Sequence, residues 1–377
     1  MHEAHKLSLD ALARRRRLRT LQPRRGIDFA SNDYLGLAGS SELKDAARAA
    51  LDRGVPVGAG GSRLLRGNHP EHEALETEAA AFFGSETALF FGGGFAANTA
   101  LFATLPGRGD LIVYDELIHA SVRDGMAMSR AEARAVPHNN INAAEDAIAH
   151  WRRKGGAGRV WIAVESLYSM DGDMAPLTDL ALLADRHDAM LMIDEAHATG
   201  VLGPNGRGRG ATLEGRENIV ALHTCGKALG VSGALVTMPA ALRDFLVNRA
   251  RPFIYATAPS PLIAATVRAA LALARDGDGR RKQLAALVAH TADLVRTRCR
   301  IEPTGTHVQP IIVHRVDTAL QIADALQDAG FDIRAIRPPT VPEGTARLRL
   351  SLTLNASPED VTRLIDQLAP MLEETRT

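Results

Sequence analysis

Short apolar runs recur along the first two-thirds of the chain, and each ends in a polar or glycine-rich turn: residues 86–91, 111–115, 159–165, 190–193 and 219–222. Their length and bounding residues predict buried strands. Helical periodicity fills the intervals, with helices expected over 40–53, 71–83, 241–251 and 261–275. The order is therefore βαβα, which predicts a mostly parallel central sheet covered by helices on both faces. After Asp276-Gly277-Asp278-Gly279 the pattern changes to alternating helix and strand, with strands at 309–313, 333–336 and 346–352. The expected organisation is an N-terminal helical arm (1–38), a large α/β domain (39–278) and a smaller α+β C-terminal domain (279–377). Within the arm, residues 1–25 read as one amphipathic helix.

Composition narrows the class. The 44 basic and 44 acidic residues balance, so net charge calls for neither nucleic acid nor an anionic membrane. The run Arg14-Arg15-Arg16-Arg17-Leu18-Arg19 is the local exception. Without interleaved aromatics it reads as a solvated helix sooner than a nucleic-acid arm, with an anionic substrate group as a further partner. Two cysteines, Cys225 and Cys299, make no disulfide framework and fit a reducing cytosol. No apolar stretch approaches the roughly 20 residues that span a bilayer, and no apolar segment follows the first charges, so a cytoplasmic protein is expected. His69-x-x-His72 at a helix start lacks zincin spacing, and no metal is expected.

In open parallel sheets ligands bind beyond the carboxyl ends of the strands. Gly94, His119, Ser169, Asp194, His197 and Lys227 each fall just after an apolar run. Any one of them reads as a cap or a satisfied polar residue; six together do not. Lys227 is the most informative, because only five of the 44 basic residues are lysines. Arginine cannot deprotonate or form an imine, whereas a partly buried lysine does both. The turn Gly92-Gly93-Gly94-Phe95 between a strand and a helix start places backbone N–H groups at a phosphate. A carboxylate (Asp194), an imidazole three residues on (His197), an amine (Lys227), a phosphate cup (Gly94, Phe95) and a second imidazole (His119) are together the groups that pyridoxal 5'-phosphate (PLP) requires. Asp194-Glu195-Ala196-His197 also matches the Walker B signature of some helicases. Ala228 after Gly226-Lys227 and Ala221 five residues before Gly226 rule out a P-loop there.

Ser31-Asn32-Asp33-Tyr34-Leu35-Gly36-Leu37, Asp194-Glu195-Ala196-His197-Ala198-Thr199-Gly200, Gly226-Lys227-Ala228-Leu229-Gly230-Val231-Ser232-Gly233 and Arg337-Pro338-Pro339-Thr340-Val341-Pro342 resemble segments of the α-oxoamine synthases, from about Leu7 to the final helix. The resemblance implies a fold type I PLP-dependent transferase, aspartate aminotransferase-like, whose large domain binds the cofactor. It implies Lys227 as the Schiff-base lysine and α-proton base, Asp194 at the pyridine nitrogen, His197 at the ring hydroxyl and His119 stacked on the ring and near substrate. Gly94, Phe95 and Thr224 would contact the cofactor or its phosphate, with Ser169 at its edge. Arg349 would hold the amino acid carboxylate, while Arg19 and Thr340 would face the acyl substrate. The 337–342 run points to decarboxylative condensation of L-alanine with a pimeloyl thioester, on an acyl carrier protein or CoA. A 2-amino-3-ketobutyrate CoA ligase or another acyl-CoA:amino acid acyltransferase is the alternative within the family. A homodimer is implied, in which Thr257 would reach the partner's phosphate. The segment between Arg19 and Ile27 is shorter than the family pattern.

Overall fold

A computed structural model describes residues 2–375. They form two compact units, one of residues up to 34, 170–172 and 282 onward and a larger one of 35–169 and 173–281. In chain order the strands are β1 (Ile27–Asp28), β2 (Thr87–Phe91), β3 (Leu111–Asp115), β4 (Glu132–Val136), β5 (Val160–Glu165), β6 (Met190–Asp194), β7 (Ile219–Thr224), β8 (Ala234–Met238), β9 (Val308–His314), β10 (Phe331–Asp332), β11 (Ala335–Ile336) and β12 (Ala346–Ser351).

The larger unit is built on a seven-stranded sheet of order β2-β8-β7-β6-β5-β3-β4. All neighbours from β7 to β4 are parallel, whereas β8 runs antiparallel to both β7 and β2. Two reversals leave β2 pointing the same way as β7, so the carboxyl ends of β2, β3, β5, β6 and β7 share one edge. The central strands are apolar at nearly every position because both faces are covered. Ile112, Trp161, Met192 and Val220 enter one core, and Val113, Ile162, Leu191 and Ile219 enter the other. Successive side chains thus alternate between two dry layers.

Two strands of this sheet escaped the sequence reading. Glu-Ala-Arg-Ala-Val of β4 is an edge strand with charged, exposed side chains, so it carries no apolar run. β8 follows Gly233 at once and returns antiparallel beside β7, with no crossover helix between them. The turn that reverses the chain, Cys225–Gly233, contains Lys227. It is closed by Cys225 N–H to Gly233 O (2.9 Å), Val231 N–H to Cys225 O (2.9 Å) and Gly230 N–H to Lys227 O (2.8 Å). Glycine is required twice here. Gly230 has φ +68°, and a Cβ there would stand 2.5 Å from the amide nitrogen of Ala38; Gly233 has φ +115°, and a Cβ would strike the Phe90 ring at 2.5 Å.

The smaller unit pairs β11-β12-β9 antiparallel and adds the helices Val316–Asp328 and Pro358–Glu374, an α+β arrangement. The N-terminal segment, expected as a helical arm, also contains a strand. Its strand β1 pairs in parallel with β10, Ile27 opposite Phe331, and Ser351 N–H donates to Phe29 O at 3.0 Å. Residues up to 34 therefore group with the C-terminal part. The first helix covers Glu3–Arg14 only and buries no residue. Like charges at i,i+3 and i,i+4 repel in an arginine run, and Arg16 leaves the helix with φ +56°. Among the described residues no helix is long and apolar enough to cross a membrane.

Candidate active site

The sheet edge gathers its chemistry around Lys227. The amine Nζ lies 2.9 Å from His197 Nε2, which joins the turn after β7 to the turn after β6. Asp194, the last residue of β6, accepts from Asn98 Nδ2 through Oδ2 at 2.7 Å and from Ala196 N–H through Oδ1 at 2.9 Å. Both carboxylate oxygens are thereby held in place although the residue is buried. Asn98 also donates to Ser121 Oγ at 3.0 Å, and that hydroxyl lies 2.7 Å from His119 Nδ1. A continuous chain of polar contacts thus runs His119–Ser121–Asn98–Asp194.

His119 caps the helix Ala120–Met128, its Nδ1 accepting from Ser121 N–H at 3.2 Å. Burial lowers its pKa, opposed by Asp194 and reinforced by Lys227, so the ring is a neutral imidazole near pH 7. Phe95, half exposed, meets His119 edge to face with centroids 6.4 Å apart. Phe95 belongs to the first turn of the helix Gly94–Thr104, whose N-cap Gly93 provides no side-chain cap and whose first turn carries no acid. Cβ atoms built at Gly92 and Gly93 would meet nothing within 4 Å, whereas one at Gly94 would lie 3.5 Å from Thr224 Oγ1. Open backbone, uncapped N–H groups and a hydroxyl form a cradle for an anion.

Ser169 N–H donates to Glu165 Oε2 at 3.1 Å. Glu165 stands beside Asp194 on the neighbouring strand. Burial first, then the Asp194 charge, pushes its pKa up to about 8, so it carries a proton at neutral pH. Its Oε1 is buried without a hydrogen-bond partner. Asn98, Ser121 and Glu165 were not singled out in the sequence, although Asn98 had a signal: it is the one amide in the apolar helix Gly-Phe-Ala-Ala-Asn-Thr-Ala-Leu-Phe-Ala.

Arg19, Thr340 and Arg349 belong to the smaller unit. Arg19 Nη2 donates to Thr340 Oγ1 at 2.9 Å, so two residues 321 apart in sequence and assigned to the same substrate do meet. Arg349, buried on β12, donates to Asn32 Oδ1 at 3.0 Å and to Tyr34 Oη at 3.3 Å. Thr257 is exposed, in the segment after the short helix Arg251–Ile254. His69 and His72 form a reciprocal cap at Pro70–Phe83, with His72 Nε2 on Pro259 O at 2.7 Å. Among the described residues no cluster of three or more His, Cys, Asp or Glu is arranged for a metal. Cys225 is fully buried, and burial pushes its thiol up, which makes it a packing residue.

Behind Ser169 lies a second charged group. His138 Nδ1 is 2.9 Å from Asp115 Oδ1 and its Nε2 is 2.7 Å from Asp173 Oδ2, with Tyr168 edge-on at 4.4 Å. Burial opposes the imidazolium, but the two carboxylates prevail and raise its pKa to about 10. The stability from this cluster is fully present below the unfolded pKa of about 6.5 and is lost as pH rises through about 10. A His138→Gln variant, which leaves Asp115 buried and under-compensated, is expected to lose about 3 kcal/mol. Denaturant midpoints measured against pH should fall at alkaline pH in wild type and stay flatter in the variant.

The aminotransferase class I and II family profile matches residues 24–368. The 8-amino-7-oxononanoate synthase of Herminiimonas arsenicoxydans is 45% identical over 350 residues, which is 91% of this chain and 89% of that protein. The crystal structure of 8-amino-7-oxononanoate synthase from Francisella tularensis superposes with a TM-score of 0.79 at 28% identity, over 93% of this chain and 99% of that one. An SPT structure that contains PLP gives a TM-score of 0.84 at 25% identity, over 92% and 87%. The chain belongs to the aminotransferase class I and II family, in the branch of the 8-amino-7-oxononanoate synthases.

Proposed function

We propose that the protein is a PLP-dependent acyltransferase that condenses L-alanine with a pimeloyl thioester, releasing CO2 and the free carrier and giving 8-amino-7-oxononanoate for biotin biosynthesis. The observation that carries this reading is the contact of Lys227 Nζ with His197 Nε2 at 2.9 Å, three residues beyond a carboxylate whose two oxygens are both held. It works in the cytoplasm as a homodimer, with the acyl group delivered on acyl carrier protein or CoA.

The donor set fits PLP. The uncapped N–H groups at Gly94 and Phe95 with the Thr224 hydroxyl suit a phosphate. Asp194 would hold a proton on the ring nitrogen, His197 would face the ring hydroxyl, and Lys227 would carry the cofactor covalently. His119, neutral through burial, would lie against the ring, with Ser169 at its edge. When bound, PLP supplies an electron-accepting ring that makes the α-proton of the amino acid acidic and CO2 a leaving group. Everything else falls to side chains. Asn98 keeps the Asp194 carboxylate from turning, Lys227 removes the α-proton and returns one, and Arg349 binds the alanine carboxylate through its planar fork. Arg19 and Thr340 face the acyl donor.

The test offers the holoenzyme alanine, glycine and serine, each with pimeloyl thioester, and follows 14CO2 from carboxyl-labelled amino acid. Alanine should be preferred by at least about 10-fold in kcat/KM, the discrimination one methyl group supports. A preference for glycine would move the protein to the ketobutyrate ligase type and leave the cofactor assignment intact.

A further inference from the structure

Behind the Lys227 turn the larger unit buries a second set of polar side chains that the proposed chemistry does not use. Thr224 of β7 turns its hydroxyl toward the anion cradle at Gly94, so the preceding residue, His223, faces the opposite layer. His223 is fully buried and stacks on Phe83, with ring centroids 3.6 Å apart and 16° between the planes. Its Nδ1 lies 2.8 Å from Thr199 Oγ1, and its Nε2 lies 3.2 Å from Glu214 Oε2. The Glu214 side chain is 1% exposed, and its Oε2 also accepts from Thr237 Oγ1 at 2.8 Å.

Thr199 has one hydroxyl proton, which goes to Glu195 O at 2.9 Å, so His223 Nδ1 donates to Thr199. One further proton then lies between Nε2 and Oε2. Whichever atom holds it, imidazole and carboxyl together carry no net charge, and the pair needs no third ion in the core. Glu214 Oε1 nevertheless stays buried without a hydrogen-bond partner, and such a pair gains little stability over hydrocarbon. What it supplies is direction. Thr199 stands two residues after His197, and His223 four before Lys227. The backbone joins the two segments at one point, Glu195 N–H to Leu222 O at 2.8 Å, and the turn closes on Glu195 O through the N–H groups of Ala198 (3.0 Å) and Thr199 (2.8 Å). The contact between His223 and Thr199 is a second point of attachment, which stops the turn from pivoting about the first. On this turn rides His197, whose Nε2 meets Lys227 Nζ at 2.9 Å.

We infer that His223 is a positioning residue: through Thr199 it locks the His197 turn onto β7 and thereby holds the Lys227 amine at His197. The inference rests on the reading of Lys227 as the lysine that carries PLP and moves the α-proton.

Thr199→Val removes the hydroxyl at nearly constant shape, and Thr199→Ser keeps it. His223→Leu combined with Glu214→Gln removes the pair without leaving a lone buried carboxylate. Because the chain has only five lysines, trace labelling of the apoenzyme with an amine reagent, read by peptide mapping, compares Lys227 with four internal references. Lys227 should be labelled about 3-fold or more faster in Thr199→Val and in the double variant, as for an amine released from one hydrogen bond. Thr199→Ser should label like wild type. In the holoenzyme the same two variants should lose about 10-fold or more in kcat with both KM values little changed, as for a misplaced catalytic group. Unfolding midpoints establish that each variant is folded. A role in stability alone would lower the midpoint and leave both the relative labelling of Lys227 and kcat unchanged; that result overturns the inference, as does a loss in Thr199→Ser equal to that in Thr199→Val. If labelling depends on Thr199 but borohydride leaves no pyridoxyl group on Lys227 of the wild type, the lock stands and the proposed reaction falls.

Discussion

A Lys227→Ala variant is expected to fold normally and to lose turnover by about 10³-fold or more, because covalent attachment of the cofactor and transfer of the α-proton depend on the same nitrogen. The fold should survive. The Cys225–Gly233 turn is closed by backbone bonds, and the lysine side chain takes no part in them. Lys227→Arg should be as inactive, since a guanidinium keeps its proton. The measurement pairs kcat with thermal unfolding and with borohydride reduction followed by peptide mapping. Wild type should carry a pyridoxyl group on the peptide containing Lys227, and the variant should carry none. A pyridoxyl group on another residue of the wild type, or turnover in the variant within 10-fold of wild type, would sink the assignment of this lysine.

Asp194→Asn should have the second largest effect, a loss of about 10²-fold or more in kcat, because a neutral amide no longer keeps a proton on the ring nitrogen. The amide has the size of the carboxylate, so the helix Gly94–Thr104 and the neighbouring strands are not disturbed. One contact turns unfavourable, since the oxygen that accepts from Asn98 is replaced by NH2 unless the group flips, and flipping sets the NH2 against Ala196 N–H. A second readout follows from Glu165, which burial and the Asp194 charge hold at about 8. Removing that charge should lower it, and infrared titration of the carboxyl band in difference spectra of the two proteins reads the shift. A variant with near wild-type kcat would show that this carboxylate does not serve the ring.

How much of the site was visible along the chain depends on whether a contact is local. Asp194 and His197 sit three residues apart in one turn, and Gly94 and Phe95 open a helix straight after a strand; such placements follow from strand ends and glycine turns. Asn98 lies 96 residues from Asp194, and no period or motif joins them. The same holds for Glu165, a strand-end carboxylate whose raised pKa arises only when β6 is laid beside β5. The grouping of residues up to 34 with the C-terminal part was not legible for a related reason. Ile27-Asp28 is a two-residue strand, too short to signal a partner, and pairing with Phe331 decided which unit it joined.

By itself the sequence determined which chemical groups stand at the strand ends: a scarce lysine in a glycine turn, a carboxylate and an imidazole at the end of the preceding strand, and a helix start without a cap. These are local properties of strand ends, because short apolar runs fix where the chain emerges from the core. The tertiary structure decided what those groups experience. It reversed the chain at Lys227 through β8, set Asn98 on Asp194, neutralised His119 by burial, and brought Arg19 to Thr340. Each of these depends on which strands lie side by side and how much water they exclude, and dielectric and distance are properties of the packed chain.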